Sequence, residues 1–442
     1  MKFFKLLFLL VCVLFVSACK KPDYQKILHD PELYSSTVHE LNSVVMGNNF
    51  SPVVASRNYA YANIAAYEVM AAGYPKKFNS LCGQLNGFKS VAKPLPGEQI
   101  DFEYAALQAF CHVGGAVTFP EGSMKYYTDS LHKLAVDHGM SSDMVSGSEA
   151  YANRVGMSVM KWSKGDNYLK TRSSSKYSVK DIPGRWVPTP PSYAAAVEPH
   201  WSEIRTMVMK DANQFDVAPP PAFNVTDKTS KYYQEVMMIM NAGNKLDPEQ
   251  THIADFWDDN PGKLNVLGHV MFITKKFSPP GHWMSVTGIA AGQAKADFPT
   301  TVYAFAKTSI ALFDAFIECW AAKFKYATVR PETVIDRYFD KDWRPHLQTP
   351  PFPEYTCGHC TISASAAEVL TDIFGDNIAY KDTSELEFGI KSRSFKSFRQ
   401  AADETSLSRF YGGIHFRNST IVSSGYGKTV GDSVVLSLHM KK

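Results

Sequence analysis

Residues 301–326 read TVYAFAKTSIALFDAFIECWAAKFKY, and this stretch decides the predicted fold. Its large apolar side chains recur every three or four residues and form one stripe: Phe313, Phe316, Ile317, Trp320 and Phe324. That spacing matches the period of an α-helix whose apolar side faces a core. We therefore predict one long helix across the whole stretch.

Five further segments have the same helical spacing, whereas alternating, strand-like runs are nearly absent. These segments are 98–112, 143–163, 226–242, 359–374 and 396–410. The sequence therefore predicts an all-α protein built as two helical bundles.

A proline-rich stretch separates the two predicted bundles. It holds eight of the 25 prolines, and proline interrupts helices because it lacks an amide hydrogen. Its aromatic residues Trp186, Tyr193 and Trp201 indicate that it packs against the body of the protein. We predict three parts in order: an N-terminal bundle over 19–182, this connection over 183–221, and a C-terminal domain over 222–442.

The first 18 residues are predicted to be a bacterial lipoprotein signal peptide. Lys2 and Lys5 precede an apolar run that is too short to span a bilayer, and the run ends in Val-Ser-Ala before Cys19. This ending resembles a lipobox, which implies cleavage and lipid attachment at Cys19. The predicted location is extracytoplasmic, anchored in the periplasm or at the outer membrane. The alternative is a plain secretory signal that contains Cys19.

Composition excludes several classes of protein. Hydrophobic residues make up 45% and charged residues 20% of the 442 residues, which is typical of a globular chain and not of a disordered one. The formal charge of +3 falls to +1 without the signal peptide, so we predict no nucleic-acid partner. Five cysteines remain after Cys12 and Cys19, and an odd number does not indicate a disulfide framework.

Two cations lie close together near the end of the long predicted helix. At about 100° per residue, Lys323 falls about 20° beyond Phe316, and Arg330 about 20° further if the helix continues. Both side chains would then lie at the edge of the buried face, before Pro331 ends the helix. The alternative is that both extend their charged ends into water.

Two later segments each place a histidine beside a helix end. Thr356-Cys357-Gly358-His359 opens a predicted helix, where free amides and the helix dipole favour an anion. Ser408-Arg409 is followed by a glycine pair and then His415. Together with Lys323 and Arg330-Pro331, these segments supply cations and histidines for an anion site.

The three segments together resemble the signature of the vanadium-dependent haloperoxidase and type 2 phosphatidic acid phosphatase superfamily. That signature is Lys, six residues, Arg-Pro; then Pro-Ser-Gly-His; then Ser-Arg, five residues, His. The resemblance covers roughly residues 250–430, and 256–259 and 279–283 are similar to the bacterial haloperoxidase-like branch. It places the active site in the C-terminal bundle.

The resemblance implies how the site residues act. Lys323, Arg330, Arg409, the Gly358 amide and Cys357 would bind an oxyanion such as vanadate. His415 would ligate the vanadium, or form a phosphohistidine in a phosphatase, and His359 would be the general acid–base with a pKa near working pH. In the peroxidase, Lys323 would polarise the peroxide that a halide attacks. The substrates would be halide and peroxide, or a phosphate ester.

Two residues depart from the family pattern. Cys357 replaces the usual serine, and a thiol donates a weaker hydrogen bond than a hydroxyl. Ser419 stands where an acidic residue often follows the second histidine, so the orientation of His415 depends on Asn418 or Ser419. These departures motivate a further alternative, a surface lipoprotein whose degraded site only binds phosphate.

The pair Cys357 and Cys360 also matches the redox motif of thiol–disulfide oxidoreductases. That function needs a β-strand directly before the first cysteine, whereas Pro350-Pro351-Phe352-Pro353 comes close before it. The spacing does permit a disulfide across one helical turn. Nearby cations and the helix N-terminus are expected to lower the pKa of the Cys357 thiol and to make it reactive.

Other residues are weaker candidates, each with a structural alternative. His282 lines the pocket or is a core histidine, and Asp258 or Asp259 contacts an active-site histidine or belongs to a solvated turn. Trp320 and Phe352 wall the site or pack in the core. The remaining histidines show no metal-ligand spacing.

Overall fold

The computed structural model describes residues 23–243 and 245–442, so the predicted signal peptide and Cys19 lie outside it. The first part of the chain forms a helical bundle. Its helices are α1 (Tyr24–Leu28), α2 (Pro31–Gly47), α3 (Pro52–Gly73), α4 (Phe102–Val117), α5 (Lys125–Asp137), α6 (Ser142–Ser163) and α7 (Tyr168–Arg172).

The second part forms another bundle. Its helices are α8 (Lys231–Gly243), α9 (Pro248–Phe256), α10 (Pro279–Gln293), α11 (Phe298–Tyr326), α12 (Pro331–Tyr338), α13 (Gly358–Phe374), α14 (Phe398–Tyr411) and α15 (Arg417–Ser437). The prediction of an all-α protein with two helical bundles is confirmed. No helix of the described chain combines the length and the apolar character that crossing a bilayer requires.

Helices α3 and α11 pack against each other at the centre of the molecule, and nearly all of their residues are buried. Both helices are rich in alanine and apolar residues on every side, which suits a helix without a solvent-facing side. α3 carries one buried carboxylate, Glu68, and α11 carries two, Asp314 and Glu318. Glu68 accepts from the Leu81 amide, and Asp314 accepts from the amides of residues 207–209. The two helices thus also anchor irregular segments.

The chain between α7 and α8 has no α-helix, and its one regular element is the short 3-10 helix Trp201–Glu203. Trp186 and Trp201 are fully buried, and the Trp186 amide donates to the carbonyl of Ala327 at 2.9 Å. The expected packing of this stretch therefore holds for both tryptophans. Tyr193 is 64% exposed, so the same expectation is wrong for it.

Close packing of α13 on α15 fixes the start of α13, which belongs to the candidate site. A Cβ atom at Gly427 would lie 2.0 Å from the carbonyl oxygen of Thr361, and one at Gly431 would lie 2.7 Å from that of Ser365. Only glycine at these two positions of α15 allows the two helices to approach this closely.

Two short antiparallel hairpins interrupt the helices: β1 (Lys263–Leu267) with β2 (Val270–Thr274), and β3 (Tyr380–Asp382) with β4 (Arg393–Phe395). Neither hairpin was predicted from the sequence. The first hairpin exposes apolar side chains, and Leu267 is 74% exposed. The second hairpin carries the buried Asp382, whose carboxylate contacts His282.

Candidate active site

The long helix α11 ends earlier than the helical projection assumed. Ala327 adopts a left-handed conformation with φ of 47° and ends the helix, and Arg330 becomes the N-cap of α12. The expectation that Lys323 and Arg330 share one helix is therefore wrong. A turn brings them together, and both are fully buried, so neither side chain extends into water.

Lys323 fixes the backbone that precedes α13. Its ammonium donates to the carbonyl oxygens of Pro353 at 2.9 Å and Glu354 at 3.1 Å, and also to that of Thr356. An ammonium has three hydrogens, so these three carbonyls use all of its donors, contrary to the expectation that Lys323 binds the oxyanion and polarises peroxide. Burial lowers the pKa of Lys323 to about 7.

Arg330 contacts both His415 and the loop around Phe352. Its Nε donates to the carbonyl of Phe352 at 2.9 Å, and its Nη1 donates to the carbonyl of Ile414 at 2.9 Å. The same Nη1 lies 3.1 Å from Nε2 of His415. Arg330 is fully buried, and burial lowers its pKa.

Arg409 makes the matching contact to the second histidine. Its Nη1 lies 2.7 Å from Nε2 of His359 and donates to the carbonyls of Trp257 at 2.8 Å and Asp258 at 3.2 Å. It is 1% exposed, and burial lowers its pKa. The two guanidinium groups thus hold the two histidines that the sequence analysis selected.

Three guanidinium nitrogens in this cluster are buried and have no hydrogen-bond partner within 23–243 and 245–442. They are Nη2 of Arg330 and both Nε and Nη2 of Arg409. A buried donor without a partner is costly, and guanidinium donors bind tetrahedral oxyanions well. These atoms therefore fit an oxyanion ligand such as vanadate or phosphate.

His415 is held in one tautomer. Because arginine only donates hydrogen bonds, the Nε2 atom that faces Arg330 is the acceptor, and Nδ1 carries the hydrogen. Nδ1 donates to Oε1 of Glu354 at 2.9 Å. The expectation that Asn418 or Ser419 orients this ring is wrong, since Glu354 supplies the carboxylate from the other side of the site.

Glu354 is buried beside Arg330, Lys323 and His415, and it was not predicted from the sequence as a site residue. Its Oε1 accepts from His415 Nδ1 and also from the amide of Phe416 at 3.3 Å. Burial raises the pKa of Glu354 to about 7, and Arg330 and Lys323 oppose this rise. The acidic residue between Pro353 and Tyr355 was visible in the sequence, but nothing in its spacing linked it to His415.

His415 is buried and His359 is partly buried, both lie among cations, and both are neutral at pH 7. Burial, Arg330 and Lys323 lower the pKa of His415 well below its usual value. Burial, Arg409 and His282 do the same for the pKa of His359. The expectation of a His359 pKa near working pH is therefore wrong for the protein without an anion, because positive charges surround the ring.

Gly358 and Cys357 lie at the start of α13. Gly358 is its first residue, so its amide has no carbonyl partner within the helix. Cys357 is the N-cap and forms a disulfide with Cys360, and its sulfur accepts from the Cys360 amide at 3.2 Å. A disulfide sulfur has no hydrogen, so the structure contradicts both a Cys357 donor to the oxyanion and a reactive Cys357 thiol. Residues 345–357 contain no strand, which also excludes the thioredoxin-like alternative.

A cavity of about 360 Å³ leads to His359 and Arg409. Its walls are mostly apolar, and Phe352, Val197 and Ile414 are among them. Phe352 thus walls the site as expected. Trp320 is not among the residues that line the cavity; it packs against Phe352 with 5.1 Å between ring centroids.

His282 is a core residue and does not line this cavity. It is fully buried, stacks on Trp257 and contacts the carboxylate of Asp259 at 2.9 Å. Asp259 also lies 3.9 Å from Nε2 of His359, while Asp258 contacts the site through its carbonyl, which accepts from Arg409. Both aspartates are buried, so the alternative of a solvated turn is wrong.

Comparisons with known proteins agree with this geometry. A protein-family profile, the VCPO second helical-bundle domain, matches residues 303–342 and 338–441. The chain is similar to the crystal structure of the first bacterial vanadium-dependent iodoperoxidase. The two share 41% identity, with 93% of this chain and 97% of that chain covered and a TM-score of 0.87. Curated proteins gave no match.

Two structures of a bacterial vanadium-dependent chloroperoxidase, one holo and one apo, are more distant. Each is 16% identical to this chain with a TM-score of 0.65, and each comparison covers 88% of this chain. The comparisons cover 93% of the holo chain and 94% of the apo chain. At this level of identity they show that the fold is shared.

Proposed function

The chain belongs to the vanadium-dependent haloperoxidase family, and from this premise we propose that it oxidises a halide with hydrogen peroxide at a vanadate held by His415. The observation that carries this proposal is the set of buried donors without partners on Arg330 and Arg409. They belong to the two guanidinium groups whose Nη1 atoms contact Nε2 of His415 and Nε2 of His359.

His415, Arg330, Arg409 and the amide of Gly358 would hold the vanadate. When bound, vanadate supplies a Lewis-acid centre that activates peroxide for attack by the halide. Glu354 accepts the Nδ1 hydrogen of His415, which keeps the lone pair on Nε2 and raises the basicity of that atom. Lys323 keeps the 353–356 backbone in place through its three carbonyl contacts.

His359 is proposed to move a proton at its Nε2 atom. Burial and the nearby Arg409, His282 and Lys323 lower the pKa of His359, so its ring is neutral at pH 7. A bound anion offsets these charges and favours protonation of His359. The neutral ring of His359 would accept a proton from hydrogen peroxide. It would return this proton to the peroxide oxygen that leaves when the halide attacks the other oxygen. The mostly apolar cavity above it limits the water that reaches this exchange.

Iodide is the halide that we propose as substrate. The support is the 41% identity to a protein named as an iodoperoxidase, over nearly the whole of both chains. The chloroperoxidases share too little sequence to carry a halide preference.

A phosphatase acting through a phosphohistidine is the second candidate. The observation that favours it is the His415 lone pair beside guanidinium donors, since phosphate and vanadate are both tetrahedral oxyanions. The alternative of a degraded phosphate-binding protein was based on two departures from the family pattern, Cys357 and Ser419. The second no longer supports it, because Glu354 supplies the carboxylate that position 419 lacks.

One pair of assays separates these functions. The purified chain from residue 20 is freed of phosphate and assayed for iodide and bromide oxidation by peroxide, and for p-nitrophenyl phosphate hydrolysis, with and without vanadate. The proposal expects vanadate to switch on iodide oxidation. Phosphate ester hydrolysis that vanadate inhibits, without halide oxidation, would instead establish the phosphatase.

We also propose that Cys19 carries a lipid that anchors the protein outside the cytoplasm. The support is the lipobox-like ending Val-Ser-Ala-Cys and the basic, then apolar start. Growth with labelled palmitate tests this proposal. Label should enter the wild type and a Cys12→Ser variant and should be lost in Cys19→Ser; equal labelling of both variants would contradict the anchor.

A further inference from the structure

His359 is connected to the interior by a row of carboxylates and one imidazole. Oδ2 of Asp259 lies 3.9 Å from Nε2 of His359, and Oδ1 of Asp259 lies 2.9 Å from Nδ1 of His282. On the far side, Nε2 of His282 lies 3.0 Å from Oδ2 of Asp382. The side chains of His282, Asp259 and Asp382 are at most 2% exposed. Water therefore does not screen the two contacts of His282.

The contacts of His282 define its charge. Both ring nitrogens face carboxylates, and an ionised carboxylate only accepts hydrogen bonds, so both nitrogens carry hydrogens. Although burial opposes it, Asp259 and Asp382 raise the pKa of His282 well above its usual value. Asp382 is itself held by Ser384, whose amide and hydroxyl donate to its other oxygen at 3.0 and 2.7 Å. The ring is therefore an imidazolium.

Two further charged groups, Glu385 and Lys276, lie beside this row. Glu385 lies 3.8 Å from His282, and burial raises the pKa of Glu385 to about 8, so it is largely protonated at pH 7. Lys276 lies 3.6 Å from Glu385. His282 thus has Asp259 and Asp382 as its two hydrogen-bonded carboxylates. Asp259, His282 and Glu385 lie close enough to hold a metal, but both nitrogens of His282 are already engaged by carboxylates.

We propose that His282 is a positioning residue that sets the protonation of His359 through Asp259. This role rests on the proposed function, since it concerns the proton that His359 moves. His282 holds one oxygen of Asp259, so that the other oxygen faces His359 in a fixed orientation. Its positive charge also offsets the attraction of Asp259 for a proton on His359.

Other charged groups face His359 and act with this row. Arg409 on α14 and Lys323 on α11 disfavour the protonated ring, as His282 does from α10. Asp259, on the segment after α9, places a carboxylate oxygen 3.9 Å from Nε2 of His359 and favours the protonated ring, as the backbone of Asp258 also does. Loss of the His282 charge leaves Asp259 unpaired beside His359. The proton affinity of His359 therefore increases when His282 is replaced by a neutral residue.

Ring NMR of isotope-labelled histidine, on the protein without vanadate, tests this proposal directly. His359→Gln and His282→Gln assign the two signals. In the wild type, His282 should keep both N–H hydrogens from pH 5 to pH 9. In His282→Gln, the titration midpoint of His359 should rise by about one pH unit, a tenfold increase in proton affinity. An unchanged midpoint would overturn the proposal.

His29→Gln is the matched control, because His29 also pairs with a carboxylate, Asp101 at 2.8 Å, but belongs to the N-terminal bundle. It should leave the His359 midpoint unchanged. Asp382→Asn provides a second test if His282→Gln does not fold: His282 should then lose a proton between pH 5 and pH 9. A His282 that stays doubly protonated in Asp382→Asn would contradict the assigned contact.

Kinetics separate this inference from the proposed function. The pH profile of kcat/KM for iodide oxidation should shift upward in His282→Gln with the NMR midpoint, whereas a purely structural role would lower the rate equally at every pH. Absence of iodide oxidation in the wild type would reject the proposed function, and the NMR titration would still decide the role of His282.

Discussion

Oε1 of Glu354 lies 2.9 Å from Nδ1 of His415, and both side chains are buried. Contacts of this kind typically change metal affinity or activity by about 10- to 100-fold. We expect Glu354→Gln to lower the rate of iodide oxidation by about that factor, because a neutral amide supports the basicity of His415 less than a carboxylate does.

The control for this prediction is Ser419→Ala, which alters the position where the family pattern places an acidic residue. It should stay within about twofold of the wild type. A larger loss in Ser419→Ala than in Glu354→Gln would show that Glu354 does not orient His415.

Loss of Arg409 should weaken oxyanion binding. Its Nε and Nη2 are buried donors without partners, and a hydrogen bond to a charged group contributes about 1.5–3 kcal/mol. Arg409→Ala should therefore raise the Kd for vanadate about tenfold to 150-fold, measured by titration calorimetry. Arg205→Ala, which removes an arginine that contacts Trp162 in the N-terminal bundle, should leave this Kd unchanged. Equal losses in both variants would point to unfolding instead.

The disulfide between Cys357 and Cys360 should protect the enzyme from its own oxidant. Cys360→Ser leaves Cys357 as a free thiol beside the site, and peroxide oxidises accessible thiolates. We expect severalfold faster inactivation by peroxide in Cys360→Ser than in the wild type. Cys357→Ser should retain equal or higher activity and should resist peroxide. Identical inactivation rates in all three proteins would show that the pair has no redox role.

Glu68 should make stability depend on pH. Burial raises the pKa of Glu68 to about 7 from 4.5, so its contribution to stability is present below pH 4.5 and is lost as the pH rises through 7. Between pH 5 and pH 8 the free energy of unfolding of the wild type should fall by up to about 3 kcal/mol relative to Glu68→Gln. Urea unfolding at both pH values measures this difference. The exposed Glu121→Gln should follow the wild type, and parallel curves for all three proteins would contradict the prediction.

Helical periodicity predicted the main helices because their burial leaves a repeating apolar pattern. The segment 301–326 became α11 (Phe298–Tyr326), and 359–374 became α13 (Gly358–Phe374). The end of α11 was not predictable, since Ala327 is not a residue type that usually adopts a left-handed conformation. The β1–β2 hairpin was missed because β1 alternates over only four residues and β2 has four apolar residues in a row.

The site was only partly predictable because its contacts cross the fold. The motifs selected His359, Arg409 and His415, which the structure brings together. Glu354 and His282 act through contacts 61 and 23 residues away in sequence, and no spacing rule reports such a contact. The contacts that Glu354 and His282 make set the tautomer of His415 and the charge on His282.

The vanadate dependence of iodide oxidation in His415→Ala tests most directly whether His415 holds the cofactor. In the phosphate-free wild type, the rate should rise with added vanadate and saturate near one vanadate per chain. In His415→Ala the same titration should give no activity, because the variant lacks the nitrogen that ligates vanadium. Full, vanadate-dependent activity in His415→Ala would contradict the proposed site.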